Sequence, residues 1–323
     1  MLDRTLIGFK SGRRAVIALG GNAITQPGEE GTVEQDYANL GRSLEGILDV
    51  VERGYELVIT HGNGPQIGNQ MIRVELARSE APALPLDVMG ADLQGGLGYM
   101  IERVLRSKLR RRGMVNRACC MLTMVEVDAN DPAFQDPTKF VGPVYTAEDA
   151  ATRARERGWV VKEDKGRGWR RVVPSPEPKS IIERHEILAL LDAGTIVISG
   201  GGGGIPVARS SNGDLVGVEG VIDKDLASVV MALALGAPEL IILTGVDRVQ
   251  IGYGTPQARP LNIVTVAEAR EYMAQGHFPP GSMGPKMEAA CRFVERGGSR
   301  TLITNVFTLK EALAGTTGTW VTA

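Results

Sequence analysis

Apolar residues along the chain occur in two alternating patterns, short unbroken runs and positions spaced by three and four. The first run, residues 15–19, predicts a short buried strand. From Thr32 the apolar positions recur at helical spacing until Gly54, and residues 57–59 form a second strand-like run. A strand, a helix and a strand in this order favour a right-handed parallel crossover, which places the loops after both strands at one edge of a sheet.

The same patterns continue to the end of the chain and indicate an α/β protein with several parallel strands. The pair Asn212–Gly213 predicts a hairpin turn within residues 207–218. Helices are predicted at residues 66–78, 94–112, 181–191, 221–235, 266–275 and 287–295, and strands at residues 118–127, 196–198, 240–243 and 301–304.

Residues 128–178 differ from the rest of the chain because Asp, Pro, Gly, Lys and Arg dominate them. An insert of this length exceeds an ordinary connection, which is usually under about 15 residues. We therefore expect a small protruding subdomain within a single domain of residues 14–323, preceded by an N-terminal leader at residues 1–13. Trp169 lies among arginines and could stack on RNA, but a hairpin with its own few contacts is the favoured interpretation.

Three of the predicted strands end in glycine-rich loops. Backbone without Cβ atoms can bring several N–H groups close to an anion, and open α/β sheets bind ligands at the carboxyl ends of their strands. The five glycines of the third loop could by themselves be a flexible linker, but the repetition after three strands favours a phosphate-binding site. The loops contain Gly20, Gly21 and Asn22, then Gly62, Asn63 and Gly64, and finally Gly200, Gly201, Gly202 and Gly203.

Composition and missing motifs narrow the classes of function. The chain has 323 residues, of which 43% are hydrophobic, and a net charge of −2, so it can bury a large core and offers no basic field to nucleic acid. Three cysteines in no metal or redox spacing fit the cytoplasm, and no apolar run reaches the roughly 20 residues of a membrane span. The absence of Gly-Lys-Ser/Thr, G-x-G-x-x-G, G-x-S-x-G and metal-ligand spacing argues against P-loop, dinucleotide-binding, hydrolase and metal sites.

What remains is the glycine loops, the triplet Asp223-Lys224-Asp225 and isolated lysines in loops. This set suits phosphoryl transfer to an acceptor that is already an anion, because such a reaction needs alignment and charge neutralisation rather than a general base. Backbone N–H groups and lysines supply both. The alternative for Lys224 is an ion pair with its flanking aspartates at the start of a helix. For His61, beside the second glycine loop, packing is favoured over a catalytic role.

Seven motifs occur in order along the chain: ALGGNA (18–23), THGNGPQIGN (60–69), EDKGRGWRRVVPSPEP (163–178), SGGGGGIPV (199–207), VIDKDLAS (221–228), ILTGVDRV (242–249) and GHFPPGSMGPKMEAA (276–290). Together they resemble the carbamate kinases of the amino acid kinase family, from about Val16 to the C-terminus. The resemblance implies an open αβα sandwich around a mainly parallel sheet of about eight strands, and a homodimer. It also implies reversible phosphoryl transfer between ATP and carbamate, giving ADP and carbamoyl phosphate.

The resemblance implies roles for individual residues as well. Lys224 and Lys286 would neutralise the transferred group from two sides, Asp225 would orient both lysines, and Lys139 would reach the site from the subdomain. The three glycine loops would bind carbamate and the phosphoryl group. Magnesium would be held mainly by the nucleotide phosphates, with no metal site of the protein's own. The nucleotide site would be lined by Thr244, Asp247, Tyr253, Met283 and Lys286.

Two positions depart from the family's pattern, Phe140 after Lys139 and Asp92 before Gln94. Because both bear on the acceptor, two alternatives stay open: a paralogous kinase of another small carboxylate or carbamate, and a nucleotide-binding regulator without turnover. The expected partners are the small-molecule substrates and a second copy of the chain, with neither nucleic acid nor membrane. The expected setting is arginine metabolism in the cytoplasm.

Overall fold

The computed structural model describes residues 13–323, so the leader predicted for residues 1–13 lies outside the described residues except at its end. The strands are, in chain order, β1 (Arg14–Leu19), β2 (Glu56–His61), β3 (Arg117–Cys120), β4 (Met124–Glu126), β5 (Lys139–Tyr145), β6 (Val160–Asp164), β7 (Gly168–Val173), β8 (Ser180–Ile181), β9 (Thr195–Ile198), β10 (Ile205–Arg209), β11 (Leu215–Gly217), β12 (Glu239–Thr244), β13 (Gln250–Ile251), β14 (Arg259–Pro260), β15 (Ile263–Thr265), β16 (Arg300–Asn305) and β17 (Thr319–Thr322).

The helices alternate with these strands. They are α1 (Val33–Ser43), α2 (Glu45–Glu52), α3 (Gly64–Leu76), α4 (Leu86–Arg111), α5 (Ala147–Arg157), α6 (Arg184–Asp192), α7 (Lys224–Ala234), α8 (Val266–Ala274), α9 (Met283–Glu295) and α10 (Leu309–Leu313). Within residues 13–323, none of the helices combines the length and the apolar character needed to cross a membrane.

The central sheet has eight strands in the order β15-β17-β16-β12-β1-β2-β9-β3. Its neighbouring strands run parallel except β16 and β17, which are antiparallel. The mainly parallel sheet of about eight strands that the family resemblance implied is thereby confirmed.

Alternate residues of the buried strands face two separate cores. In β1, Val16 and Ala18 belong to the core that also contains residues of α6, α7, α8 and α9. Ala15, Ile17 and Leu19 belong to the core with α1, α2, α4 and α10. Because successive residues of a strand point to opposite faces, helices cover both faces of the sheet, which confirms the predicted αβα sandwich.

The helix expected from Thr32 to Gly54 is two helices. Thr32 caps α1, since its side chain accepts a hydrogen bond from the Gln35 N–H while the Gln35 side chain accepts one from the Thr32 N–H. At the other end of α1, the buried Ser43 hydroxyl donates to the Ala23 carbonyl at 2.9 Å. This contact reaches back 20 residues, so local periodicity does not reveal it.

The single strand expected at residues 118–127 is two strands in two sheets. β3 lies at the edge of the central sheet, whereas β4 belongs to a four-stranded sheet in the order β11-β10-β4-β8. Between them the Thr123 N–H donates to the Gln94 side-chain oxygen at 2.9 Å instead of continuing a strand ladder. The hairpin predicted at Asn212–Gly213 is present as the antiparallel pair β10 and β11.

Most of residues 128–178 form a small unit in which β5, β7 and β6 make an antiparallel sheet beside α5. The unit meets the body through a small core that includes Val141 and Val173 together with residues of α3 and α4. Its β5 approaches α3 so closely that a Cβ at Gly68 would lie 3.3 Å from the Gly142 Cα. The domain boundaries themselves stay predictions.

Candidate active site

The three glycine loops lie side by side at one edge of the central sheet. β1, β2 and β9 are neighbours that run parallel, so the loops after them leave the sheet at the same edge. Two of the loops fold into short 3-10 turns, at Gly21–Ala23 and Gly201–Gly203. The sequence predicts the loops, and the strand order brings them together.

The third loop needs glycine because its backbone packs against the elements beside it. A Cβ at Gly201 would lie 2.3 Å from His61 Nε2, and a Cβ at Gly203 would lie 2.4 Å from the carbonyl oxygen of Ile222. Gly200 and Gly203 also have positive φ, of 67° and 98°, which side chains disfavour. The bare backbone is therefore held close to β2 and to the start of α7.

The second loop contacts both of the others. A Cβ at Gly62 would lie 3.1 Å from the Gly21 N atom, and the Asn63 amide lies 2.3 Å from where a Cβ of Gly202 would be. Asn63 precedes α3, which begins at Gly64, but its side chain makes no capping hydrogen bond to that helix. Its amide faces the third loop instead.

His61 is a buried packing residue at the centre of this arrangement. Its ring stands against Gly201, and its Nδ1 lies 3.1 Å from the Gly62 carbonyl oxygen, which it contacts as an N–H donor. Burial, opposed in part by the Gly62 carbonyl and assisted by the nearby Lys224 ammonium, lowers the pKa of His61 to about 4. The imidazole is therefore neutral at pH 7, as its packing role requires.

The third loop is held in place by hydrogen bonds that involve Gln94, Thr123 and Ser199. The residue patterns of the sequence did not predict this role. The buried Gln94 amide donates to the carbonyl oxygens of Thr123 and Gly201, each at 3.1 Å. The Thr123 hydroxyl lies 2.6 Å from the Ser199 hydroxyl and accepts from the Gly200 N–H at 3.0 Å. These bonds leave the loop few ways to move, which preorganises it for an anion.

Two lysines meet at the buried carboxylate of Asp225. The Lys224 ammonium lies 2.5 Å from Oδ1 and the Lys286 ammonium 3.0 Å from Oδ2. Burial alone would raise the pKa of Asp225, which is 4% exposed, but the two ammonium charges and their hydrogen bonds outweigh burial and hold the pKa below its usual range. Asp225 is therefore ionised, and the cluster carries a net charge of +1 when both lysines are protonated.

Different elements deliver the members of this cluster. Lys224 and Asp225 occupy the first turn of α7, whose N-cap is Asp223. Lys286 lies in the first turn of α9, 61 residues further along the chain. α7 is tied to the second strand by the Ser228 hydroxyl, which lies 2.8 Å from the hydroxyl of Thr60.

Lys139 reaches the same region from the small unit. It is the first residue of β5, and its ammonium donates to Asp223 Oδ2 at 3.1 Å. The structure thus places Lys139 next to the start of α7, with Lys224 and Asp225 as the following residues of that helix.

A cavity of about 660 Å³ opens beside the first glycine loop. This volume lies within the range of about 300–1,000 Å³ that is typical of small-molecule sites. Its lining includes Gly20, Gly21 and Asn22 together with Lys286. Because Lys286 also contacts Asp225, the cavity adjoins the two-lysine cluster.

Of the residues predicted to line a nucleotide site, the structure places Thr244, Tyr253, Met283 and Lys286 around this cavity. Asp247 is not among the lining residues, because its exposed side chain is directed toward Thr308, whose hydroxyl donates to it at 3.3 Å. The sequence did not predict several residues that line the cavity. They are Ala23, Gln26, Pro27, Leu243, Gly245, Val246, Arg248, Gln250, Pro279, Gly281, Ser282, Asn305, Val306 and Phe307.

Some of these lining residues could have been predicted from their position at the end of a strand. Asn305 ends β16, which pairs with β12, so it stands beside Thr244 at the same sheet edge as the glycine loops. Arg248 follows β12 closely, and its Nη2 donates to the Thr316 carbonyl. The same edge rule that identified the glycine loops therefore extends to β16.

The two departures from the family pattern lie away from the loops. Asp92 is exposed on α4, two residues before the buried Gln94 that contacts the third loop. The Phe140 ring lies beneath the Arg170 guanidinium, at 5.6 Å from the ring centroid. Neither side chain contacts the carboxylate of Asp225, whose ion-pair partners are Lys224 and Lys286.

We next consider whether side chains of the protein are arranged to bind a metal ion. Across residues 13–323, no group of three or more His, Cys, Asp or Glu side chains is arranged to hold a metal ion. The lining of the cavity likewise includes no Asp or Glu. The lining therefore offers a cation no carboxylate.

The arrangement can hold two anionic groups in one place. Backbone N–H groups of the glycine loops and the lysines around Asp225 provide positive charge, and the cavity provides room for a larger ligand on one side. No general base is required where the attacking group is already an anion. The chemistry that fits is the transfer of a phosphoryl group between two anions.

Comparisons with known proteins agree with this chemistry. The model of the amino acid kinase family matches residues 13–305. The chain is 49% identical to the carbamate kinase of Pyrococcus furiosus and 50% identical to that of Thermococcus kodakarensis, over 96% of this chain and 99% of each relative. Among solved structures, the carbamate kinase of Giardia lamblia bound to AMP-PNP superimposes with a TM-score of 0.90 at 39% identity, covering 97% of this chain and 99% of that one.

Proposed function

The chain belongs to the amino acid kinase family, and we propose from its site that it is a carbamate kinase. It catalyses reversible phosphoryl transfer between ATP and carbamate, which gives ADP and carbamoyl phosphate. One observation carries this proposal: Lys286 lines the large cavity and also contacts Asp225, whose other oxygen holds Lys224 beside the glycine loops. A nucleotide in the cavity would therefore lie next to the two ammonium groups and the backbone N–H groups of the glycine loops.

The reaction needs little from the protein beyond alignment and charge. A carbamate oxygen forms a bond to the γ-phosphorus of ATP while the bond from that phosphorus to the bridging oxygen of ADP breaks. Charge spreads over the oxygens of the transferred group in the transition state, and preorganised donors stabilise it there. We assign this task to Lys224 and Lys286, and the binding of carbamate and the phosphoryl group to the glycine loops.

Asp225 acts as the positioning residue for both lysines in this proposal. A carboxylate between two ammonium groups fixes their places. Its lowered pKa keeps it ionised throughout the neutral range, so the arrangement does not change with pH there. Lys139 joins the site from the small unit.

The nucleotide is placed in the cavity, against Thr244, Tyr253 and Met283. The similarity to the Giardia lamblia carbamate kinase bound to AMP-PNP supports this placement. Magnesium would be bound mainly through the phosphates of ATP, since the lining has no carboxylate, and it would offset part of the phosphate charge.

We also propose the wider setting that the resemblance implies. The protein would work as a homodimer in the cytoplasm, within arginine metabolism. Each protomer would be one domain of residues 14–323 with a subdomain at residues 128–178. Cross-linking at low protein concentration or analytical ultracentrifugation measures the oligomeric state directly.

The test is ATP formation from ADP, magnesium and carbamoyl phosphate by the purified protein, a direction that avoids the instability of carbamate. Lys224→Ala should lower turnover about a hundredfold or more, the scale for removing one preorganised charge contact. Lys310→Ala, which removes an exposed lysine of α10, is the matched control and should retain the parent rate.

Two results would contradict the proposal. Wild-type turnover in Lys224→Ala would mean that the cluster around Asp225 is not the site of transfer. Nucleotide binding by the parent protein without any ATP formation would leave the family intact and direct attention to another acceptor.

A further inference from the structure

Asp223 contacts two parts of the molecule through its two carboxylate oxygens. Its Oδ1 accepts from the backbone N–H groups of Asp225 at 2.9 Å and Leu226 at 3.3 Å, and so caps α7. Its Oδ2 accepts from the Lys139 ammonium at 3.1 Å. One side chain therefore joins the helix that carries the two-lysine cluster to the lysine that begins β5.

The backbone that carries Asp223 is fixed from both sides. The Val221 N–H donates to the Pro174 carbonyl at 2.9 Å. Ile222 is buried, and its carbonyl oxygen lies 2.4 Å from where a Cβ of Gly203 would be. Asp223 is thus a fixed point beside the third glycine loop.

Lys139 approaches this fixed point from a separate unit. The side chain keeps 34% of its area exposed, and that of Asp223 keeps 25%. An ion pair with this exposure contributes little to folding, because water screens it and the lysine loses rotamer freedom. The consequence of the pair is therefore where it puts the ammonium group, which is next to the first turn of α7.

We propose that Asp223 is a positioning residue that holds Lys139 beside the phosphoryl-transfer site before the acyl phosphate or carbamate binds. A lysine that is already ordered costs less entropy when it meets the anion. The inference rests on the proposed function, because it takes Lys139 as a contact of the transferred or accepting group. It adds a second task to a residue that otherwise would be only a helix cap.

The variant that separates the two tasks is Asp223→Asn. Asparagine is a good N-cap residue, so the cap on α7 remains, whereas the charge that attracts the lysine is lost. In ATP formation, the KM for carbamoyl phosphate should rise about fivefold, the upper limit for a partly exposed ion pair. The KM for ADP should not change, since the cavity lining does not include Asp223 or Lys139.

The control for an action through Lys139 is the same substitution in a Lys139→Met chain. If Asp223 acts by holding Lys139, the fivefold rise is absent there. An equal rise in both backgrounds, or a rise shared by ADP, overturns the proposal. Asp136→Asn is the matched control within the same unit, because Asp136 pairs with Lys162 at 2.7 Å on the exposed surface, and it should change neither KM.

A second readout does not depend on catalysis, so failure of the proposed function is distinguishable from failure of this inference. An amine-reactive acetylating reagent modifies a free lysine faster than one held by a carboxylate. Mass spectrometry should show Lys139 acetylated several-fold faster in Asp223→Asn than in the parent, with Lys162 unchanged. Equal acetylation of Lys139 in both proteins means that Asp223 does not hold it in solution, and this result refutes the proposal even if the protein makes ATP.

Discussion

His61 should make the folded protein lose stability as the pH falls from about 6.5 to about 4. Above pH 6.5 the imidazole is neutral in both the folded and the unfolded chain. Between these values the unfolded chain binds a proton at an ordinary pKa of 6.5, whereas burial keeps the folded pKa at about 4. At roughly 1.4 kcal/mol for each pH unit, the free energy of unfolding falls by about 3 kcal/mol, and below pH 4 it falls no further on account of this group.

Urea unfolding at pH values from 4 to 7.5 measures this loss. Carboxylates also titrate in this range, so the comparison is with His61→Asn, which keeps an N–H donor for the Gly62 carbonyl. Its smaller side chain lowers stability by the same amount at every pH, and that cost cancels from the comparison. The parent should therefore lose about 3 kcal/mol more than the variant between pH 7 and pH 4.

His185→Asn, at an exposed histidine of α6, controls for the substitution itself. If the parent and His61→Asn lose stability in parallel as the pH falls, the buried neutral imidazole is not the cause and the reasoning is refuted. The same titration bears on function, because a charged His61 would stand against Gly201 beside the Lys224 ammonium.

Two further predictions concern the same site. Asp225→Asn should lower turnover about a hundredfold and the free energy of unfolding by about 3 kcal/mol, the lower end for a buried pair because Lys224 and Lys286 keep 13% and 19% of their side chains exposed. Steady-state rates and urea unfolding check both, and a parent-like rate would exclude Asp225 as the residue that positions the lysines. Gly201→Ala should lower the free energy of unfolding by about 1–3 kcal/mol, because the added methyl group would overpack against the buried His61 ring. Gly41→Ala is the control at a helical site with nothing within 4 Å of the new Cβ, and it should raise the free energy of unfolding by up to about 1 kcal/mol. Equal changes at the two glycines would show that the contact with His61 does not limit position 201.

The elements that the sequence predicted well are those with a strong local signal. The glycine loops after β1, β2 and β9 follow directly from apolar runs that end in glycine. The hairpin at Asn212–Gly213 follows from its turn residues. Where the signal depends on distant partners, prediction was weaker, as at residues 118–127, which divide between two sheets because Thr123 bonds to Gln94 rather than to a neighbouring strand.

For the site, the sequence determined two chemical parts: backbone that can approach an anion and a charged triplet at a helix start. These follow from residue type and short spacing, because they depend on the absence of a Cβ and on the first turn of one helix. The lysines that it placed in loops lie instead in the first turns of α7 and α9 and at the start of β5. The family resemblance implied that Asp225 orients Lys286, and the tertiary structure brings the two together across 61 residues of chain. Only the tertiary structure revealed that Lys139 meets Asp223 from a different sheet. The tertiary structure also decided which strand ends surround the cavity. The order of the strands follows from packing the whole sheet between two layers of helices, and local sequence preferences do not set it.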